Sequence, residues 1–292
     1  MPAPRAYWNG RIVAASKIAI PIDDAGFVWG ATVADRARTY GGKLFRLHDH
    51  IARFRRSCEL CRIPQPVPDG ELVSVAERLV EQNLPLVGAG GELILIMFAT
   101  PGAGHGGPTI CLHTIPFSIA PYRQILDQGA TLITSTIRHL PTECLPRNAK
   151  MRSRLFWWIA EQEVRNIDPN AHALLLDPNG LVTETSSANF LVVRKGTVFT
   201  PPRSIVLDGV SLRVVEELCA ELGVQFMEMP LVLENCYTAD EAMLTSTPIG
   251  LAGVSQINGQ AIPWPGAVLA RLHEAWSRRV GCDIWKSSRA DR

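Results

Sequence analysis

Short apolar runs set off by turn signals make the first 47 residues read as β-rich. Runs at 6–8 and 11–13 flank Asn9-Gly10, a pair that favours the positive φ angles of a tight hairpin. Runs at 34–40 and 43–47 flank Gly41-Gly42 and predict a second hairpin. From His50 to about Cys61 the period lengthens, and Ile51, Phe54, Cys58 and then Leu60 or Cys61 share a helical face. Residues 71–84 predict another amphipathic helix, followed by strands at 92–100 and 109–115. The stretch 117–124, which contains Pro121, breaks the pattern and reads as a linker.

The second half alternates in the same way without repeating the sequence. A strand at 130–136 precedes a helix from Lys150 to about Asn166, with Leu155, Ile159 and Val164 on its buried face. Strands at 172–177 and 181–185 flank Pro178-Asn179-Gly180, and strands at 190–193 and 198–200 flank 194–197. A helix over 211–222 stops at Gly223, a strand lies near 241–246, and a last helix spans about 266–280. Strand runs broken by helices, with many hairpins, predict an α+β fold rather than a doubly wound parallel sheet. The expected division is a small N-terminal α/β domain at 1–118, a linker at 119–124 and a larger domain at 125–292, with a crevice between the domains.

Composition narrows the function classes. At 292 residues and 47% hydrophobic, the chain can bury a sizeable core. A formal net charge of +1 gives no electrostatic footprint for nucleic acid or an anionic membrane. No apolar run reaches the length of a membrane span, and the first ten residues hold no signal core. Seven cysteines, an odd number thinly spread, fit reduced thiols. The expectation is a cytoplasmic protein without membrane or nucleic-acid partners.

Two short motifs lose their suggestive reading in context. Gly102-x-Gly104-x-x-Gly107 follows a strand, but Pro108 and another strand come next, so no helix start is available to hold a pyrophosphate. It reads as a mobile loop, a candidate substrate lid. Cys58-x-x-Cys61 lies inside a helix with no second ligand pair, so it reads as two small thiols on one face. His48 and His50 read as surface and helix-start residues, and no metal site is expected.

Lys150 carries more. Of 29 basic residues only five are lysines, and only a lysine amine loses its proton readily enough to act as a nucleophile. Leu207-Asp208-Gly209-Val210-Ser211 sets a glycine before an amphipathic helix, so that unsatisfied N–H groups of Val210 and Ser211 offer a phosphate site. The alternative is that Ser211 or Asp208 merely caps that helix. Ser246 and Thr247 add hydroxyls after a strand, and Glu184 stands among small polar residues at the end of another. An amine, a phosphate cradle and a carboxylate are what pyridoxal phosphate requires: a Schiff-base lysine, an anchor, and an acid at the ring nitrogen.

With these residues the sequence resembles the class IV aminotransferases, fold-type IV pyridoxal-phosphate enzymes that include branched-chain and D-amino acid aminotransferases and aminodeoxychorismate lyase. His50-Ile-Ala-Arg53-Phe is similar to the family's H-x-x-R-L segment, which implies that Arg53 binds the cofactor phosphate. Lys150 falls at the Schiff-base position, and Gly180-Leu-Val-Thr-Glu184-Thr-Ser-Ser-Ala-Asn189-Phe-Leu resembles the segment that places Glu184 at the pyridine nitrogen. Asn189 belongs to that segment; Leu207, Gly209, Val210 and Ser211 match the ring-packing leucine and phosphate-binding helix start, and Thr247, after Ser246, a phosphate contact. The resemblance implies a small α/β domain, a larger pseudobarrel domain, a homodimer, and amino transfer between an amino acid or amine and a 2-keto acid. Lyase-type elimination is the alternative, and a non-catalytic binding protein of the same fold a third reading. Leu155 stands where branched-chain enzymes carry a tyrosine, Pro248 where they offer a backbone N–H, and Ala34 where they have an aromatic wall. Arg38 is the candidate for a substrate carboxylate, Asp35 for orienting Arg38 or repelling acidic substrates, and Trp29 and His105 for the pocket lining.

Overall fold

The computed structural model describes residues 3–285. It forms two compact units, one of residues 3–118 with Ala149–Ser153 and one of Ile119–Asn148 with residues 154–285.

The first unit is built on β1 (Arg5–Trp8), β2 (Arg11–Ala14), β3 (Val33–Tyr40), β4 (Lys43–Leu44), β5 (Leu93–Thr100) and β6 (Thr109–Pro116), with a short helix α1 (Ala25–Val28) before β3. The sheet order is β2-β1-β6-β5-β3-β4, every pairing antiparallel. Helices α2 (Leu47–Leu60) and α3 (Asp69–Asn83) cover one face. Val33, Ala37, Leu95 and Met97 meet Ile51, Phe54, Leu72 and Leu79 there in one core. Side chains of this size each contribute about 1.5–3 kcal/mol on burial. Helix α2 begins at Leu47, ahead of the expected His50, because Leu47 is itself buried in that core.

The segment 149–153 departs from expectation. The helix expected from Lys150 begins only at Leu155, where α5 (Leu155–Arg165) starts. Met151 instead bridges Val33 antiparallel. The Ala34 N–H donates to the Lys150 carbonyl at 2.9 Å, and the Arg152 N–H to the Thr32 carbonyl at 2.8 Å. A sheet partner distant in sequence satisfies this backbone, and helical periodicity cannot register such a partner. The phase of α5 differs too. Leu155 and Ile159, expected inside, are exposed, and Trp157, Ala160, Glu161 and Val164 form the buried face.

The second unit holds α4 (Arg123–Gln128), β7 (Ala130–Thr134), α5, β8 (His172–Leu176), β9 (Val182–Thr185), β10 (Asn189–Arg194), β11 (Thr197–Thr200) and α6 (Val210–Glu221). It continues with β12 (Phe226–Glu228), α7 (Leu233–Tyr237), β13 (Glu241–Ser246), β14 (Gly250–Ile257), β15 (Gln260–Ala261) and α8 (Ala267–Val280). Its nine-stranded sheet runs β12-β11-β10-β13-β14-β7-β8-β9, with β15 on β14. An extra pairing of β9 with β10 closes six of these strands into a ring. The closure joins Glu184 to Asn189, two residues singled out for chemistry. Strand closure of this kind makes a filled barrel, and Leu132, Leu174, Phe190 and Val254 lie in its core. Among the described residues no helix is long and apolar enough to cross a membrane.

Candidate active site

In the second unit the barrel closure organises one cluster. Glu184 is nearly buried, and each carboxylate oxygen is held: Oε2 accepts from Asn189 Nδ2 at 3.0 Å and Oε1 from the Leu207 N–H at 3.1 Å. The second Asn189 amide hydrogen goes to the Leu207 carbonyl at 2.8 Å. Gly209 must be glycine, since a Cβ there would lie 2.1 Å from Asn189 Oδ1. Helix α6 starts immediately afterwards, and no side chain caps it. Gly209 itself stands at the N-cap and has no side chain to cap the helix, and Asp208 accepts from Arg213 Nε at 3.0 Å. Val210 and Ser211 are buried at this start, where unsatisfied N–H groups favour an anion. Asn189 also pairs with Thr245, so Ser246 follows one residue beyond the same row of the sheet, and Thr247 begins the turn to β14.

Sequence reasoning missed His139. It is buried, with Nε2 3.7 Å from Glu184 Oε1 and its ring edge-on to Phe156 and Trp157. The N–H of His139 donates to the Leu176 carbonyl on β8. Nothing in its neighbourhood along the chain, Ile-Arg-His-Leu-Pro, marks that position; only the fold brings it to Glu184.

The first unit holds Lys150 and Arg53. Lys150 is fixed through its backbone: its N–H donates to Ser57 Oγ at 3.0 Å, and Ser57 Oγ donates to the Arg53 carbonyl at 2.8 Å. One helix, α2, thus carries Arg53 and ties down the lysine segment. Arg53 itself meets Asp35 through Nε to Oδ2 and Nη2 to Oδ1, both 2.8 Å. His50 Nδ1 lies 2.8 Å from Asp35 Oδ1. Burial alone would raise the Asp35 carboxyl, but the charge and hydrogen bonds of Arg53, with those of His50, hold it well below the usual carboxylate range. Burial lowers the His50 imidazole, Asp35 only partly offsets this, and the charges of Arg53 and Lys150 lower it further. A carboxylate only accepts, so the neutral ring donates its Nδ1–H to Asp35.

These contacts correct three expectations. His50 is buried rather than superficial. Asp35 orients Arg53, not Arg38, because Asp35 and Arg38 point from opposite faces of β3. Fully enclosed, Asp35 also faces no approaching substrate. Arg38 is buried as well, its guanidinium stacked 3.6 Å from the Phe117 ring centre and 4.3 Å from that of Tyr40. Trp29 and His105 are both exposed, Trp29 at the end of α1 and His105 in the 102–107 loop. The base of that loop is fixed, since the Ala25 N–H donates to the Gly102 carbonyl and Ala103 bridges Asp24. A Cβ on Gly102 (φ +90) would collide with the Gly107 carbonyl at 1.8 Å. Strand β6 follows the loop, as the sequence indicated. Cys58 is buried and Cys61 half-buried, and burial pushes the Cys58 thiol up to about 12. Among the described residues no group of acidic, cysteine or histidine side chains is placed to hold a metal.

A model of the amino-transferase class IV family matches residues 32–257. A putative branched-chain-amino-acid aminotransferase of Methanocaldococcus jannaschii is 31% identical over 264 residues, covering 88% of this chain and 89% of that protein. A D-alanine aminotransferase of Bacillus licheniformis is 29% identical over 264 residues, covering 88% and 90%. Among solved structures, the branched-chain aminotransferase of Thermoproteus uzoniensis with norvaline has a TM-score of 0.86 at 23% identity over 96% of both chains. The T.th. branched-chain amino acid aminotransferase with pyridoxamine 5'-phosphate has a TM-score of 0.87 at 24% identity, over 96% of this chain and 95% of that one. The match across the two clusters and the fold-type IV architecture agree: the chain belongs to the class IV aminotransferase family, the pyridoxal-phosphate-dependent transaminases.

Proposed function

We propose that this transaminase moves an amino group between an amino acid or primary amine and a 2-keto acid, with Lys150 as its catalytic amine. The observation that carries the reading is the Glu184 cluster. A carboxylate held by Asn189 and the Leu207 N–H stands beside an uncapped helix start, where Gly209 leaves no room for a side chain. This donor set fits a phosphorylated pyridine. When bound, pyridoxal phosphate supplies an electron-accepting ring that stabilises negative charge at the substrate carbon beside the nitrogen.

The chain's own residues do the rest. With pyridoxal phosphate bound, Lys150 Nζ would be the amine that holds the cofactor aldehyde, and Lys150 would serve as the base and acid for the proton at the substrate carbon. Glu184 would keep a proton on the ring nitrogen by supplying negative charge, and Asn189 keeps Glu184 in position. Arg53, Val210, Ser211, Ser246 and Thr247 would hold the phosphate, and Leu207 would pack on the ring. Trp29, Arg38 and His105 are assigned to the substrate side: Trp29 and His105 are exposed, and Arg38 shares a strand face with Ala34. The residues up to 118 act as the small domain and those from 125 as the larger, cofactor-binding one; its last residues, 286–292, lie outside the described structure. Two features support a cytoplasmic homodimer. The seven cysteines are thiols rather than disulfides, and Val28 and Trp29 in one unit, with Leu155 and Trp158 in the other, are exposed apolar side chains of the kind buried between subunits.

Lys150→Ala tests the assignment. Turnover should fall at least about a thousand-fold, as when a group acting within a catalytic unit is removed, while cofactor still binds non-covalently. Full turnover by that variant would overturn the reading.

A further inference from the structure

The face of β3 turned away from α2 carries its own chemistry. Arg36 pairs across the sheet with Ile96 of β5, and Ile96 with His113 of β6. Ala34 pairs with Phe98, whose ring lies edge-on to Trp8 at 6.4 Å and to His113 at 6.5 Å. Arg152 reaches this region through the bridge of Met151 to Val33. With Phe98, Thr32 and Thr100 it lines a pocket of about 520 Å³ whose other wall is Ile20, Ile22 and Phe27.

The pocket holds one carboxylate, and it is committed elsewhere. Asp24 Oδ1 accepts the Gly26 N–H at 2.7 Å, and Oδ2 accepts the hydroxyls of Thr100 at 3.0 Å and Thr109 at 2.9 Å. Among the described residues no carboxylate forms an ion pair with Arg36 or Arg152, whereas Arg46, Arg53 and Arg55 of the same unit each have one. Burial, then the charges of Arg152 and Arg36, disfavour protonation of His113, and Arg36 acts on Arg152 likewise. Two permanent positive charges thus share this face of the sheet, with no carboxylate paired to either among the described residues. An anion entering the pocket would relieve that repulsion, and a guanidinium fork matches a carboxylate.

We propose that this pocket is a substrate subsite for a carboxylate on an apolar body: Arg152 binds the carboxylate, Arg36 adds positive potential, and Ile20, Ile22, Phe27 and Phe98 take the hydrocarbon. Arg152 lies two residues beyond Lys150 in one extended segment, so their Cα atoms are about 7 Å apart, within the span of one amino acid and the lysine side chain. The substrate class that follows is apolar amino and keto acids. This assignment rests on Lys150 being the catalytic amine only for the identity of the ligand as substrate.

The test is calorimetric titration of the holoenzyme with 4-methylvaleric acid, which carries the carboxylate but no amine, and with its neutral amide. Wild type should prefer the acid. Arg152→Gln should weaken the acid by about 10–100-fold, the range for losing a hydrogen bond to a charged group, and leave the amide unchanged. Arg36→Gln should weaken the acid by a smaller factor, and Phe27→Ser should weaken acid and amide alike. Acid binding unchanged in both arginine variants would overturn the subsite. Because the cofactor absorption of the same samples reports on Lys150 separately, an absent cofactor band with preserved acid selectivity would sink only the earlier reading.

Discussion

Successive residues of β3 put opposite charges on opposite faces of one sheet. Asp35 turns toward α2, is fully enclosed, and is met by Arg53, His50 and the Arg36 N–H. Arg36 turns the other way, is exposed, and faces Arg152 and His113 without a counter-ion among the described residues. The first cluster is electrostatically complete and serves as scaffold: it fixes the arginine on the helix that also anchors Lys150. The second is incomplete in the protein alone, which is the condition of a surface that receives an anion. Charge balance, more than charge count, separates the two faces: one holds Arg53, assigned to the cofactor phosphate, against a carboxylate, and the other carries arginines with no carboxylate paired to them among the described residues.

Breaking the complete cluster should have the largest effect. Asp35→Ala leaves Arg53 buried without its carboxylate and should cost about 3–5 kcal/mol, read from urea unfolding midpoints. A loss below about 1 kcal/mol would remove the contrast between the faces. The pH dependence sharpens it. The folded carboxyl of Asp35 is depressed, so its stabilisation is present above the unfolded value of about 3.9 and is lost only as pH falls through the lower folded value. The stability gap between wild type and Asp35→Asn should therefore stay constant from neutral pH to about 4 and narrow only in stronger acid. One residue along, Arg36→Gln should change stability by no more than about 0.5 kcal/mol, and toward greater stability, because it relieves the repulsion with Arg152. Marked destabilisation would mean that Arg36 is scaffold after all.

Much of this molecule is legible locally. The hairpin at Asn9-Gly10, the core face of α2 and the stop of the 211–222 helix near Gly223 follow from turn chemistry and periodicity over a few residues. Strand β14 escapes such a reading: Gly250-Leu-Ala-Gly-Val has small residues inside a closed ring and shows no alternation. Lys150, Glu184 and the Gly209 helix start are visible as residue types and as a resemblance. Their supports are not. Asp35 and Arg53 are 18 residues apart, Lys150 and Ser57 are 93 apart, and His139 meets Glu184 only through the barrel. The helix expected from Lys150 fails for the same reason, since its competitor is a bridge to Val33.

The measurement that bears most directly on the account is the site of cofactor attachment. The protein would be saturated with pyridoxal phosphate, reduced with borohydride to make the lysine–cofactor link permanent, digested, and mapped by mass spectrometry. Modification on Lys150 is the expected result, with the visible band lost on reduction and absent from Lys150→Ala. Modification confined to another lysine, or none at all, would contradict it.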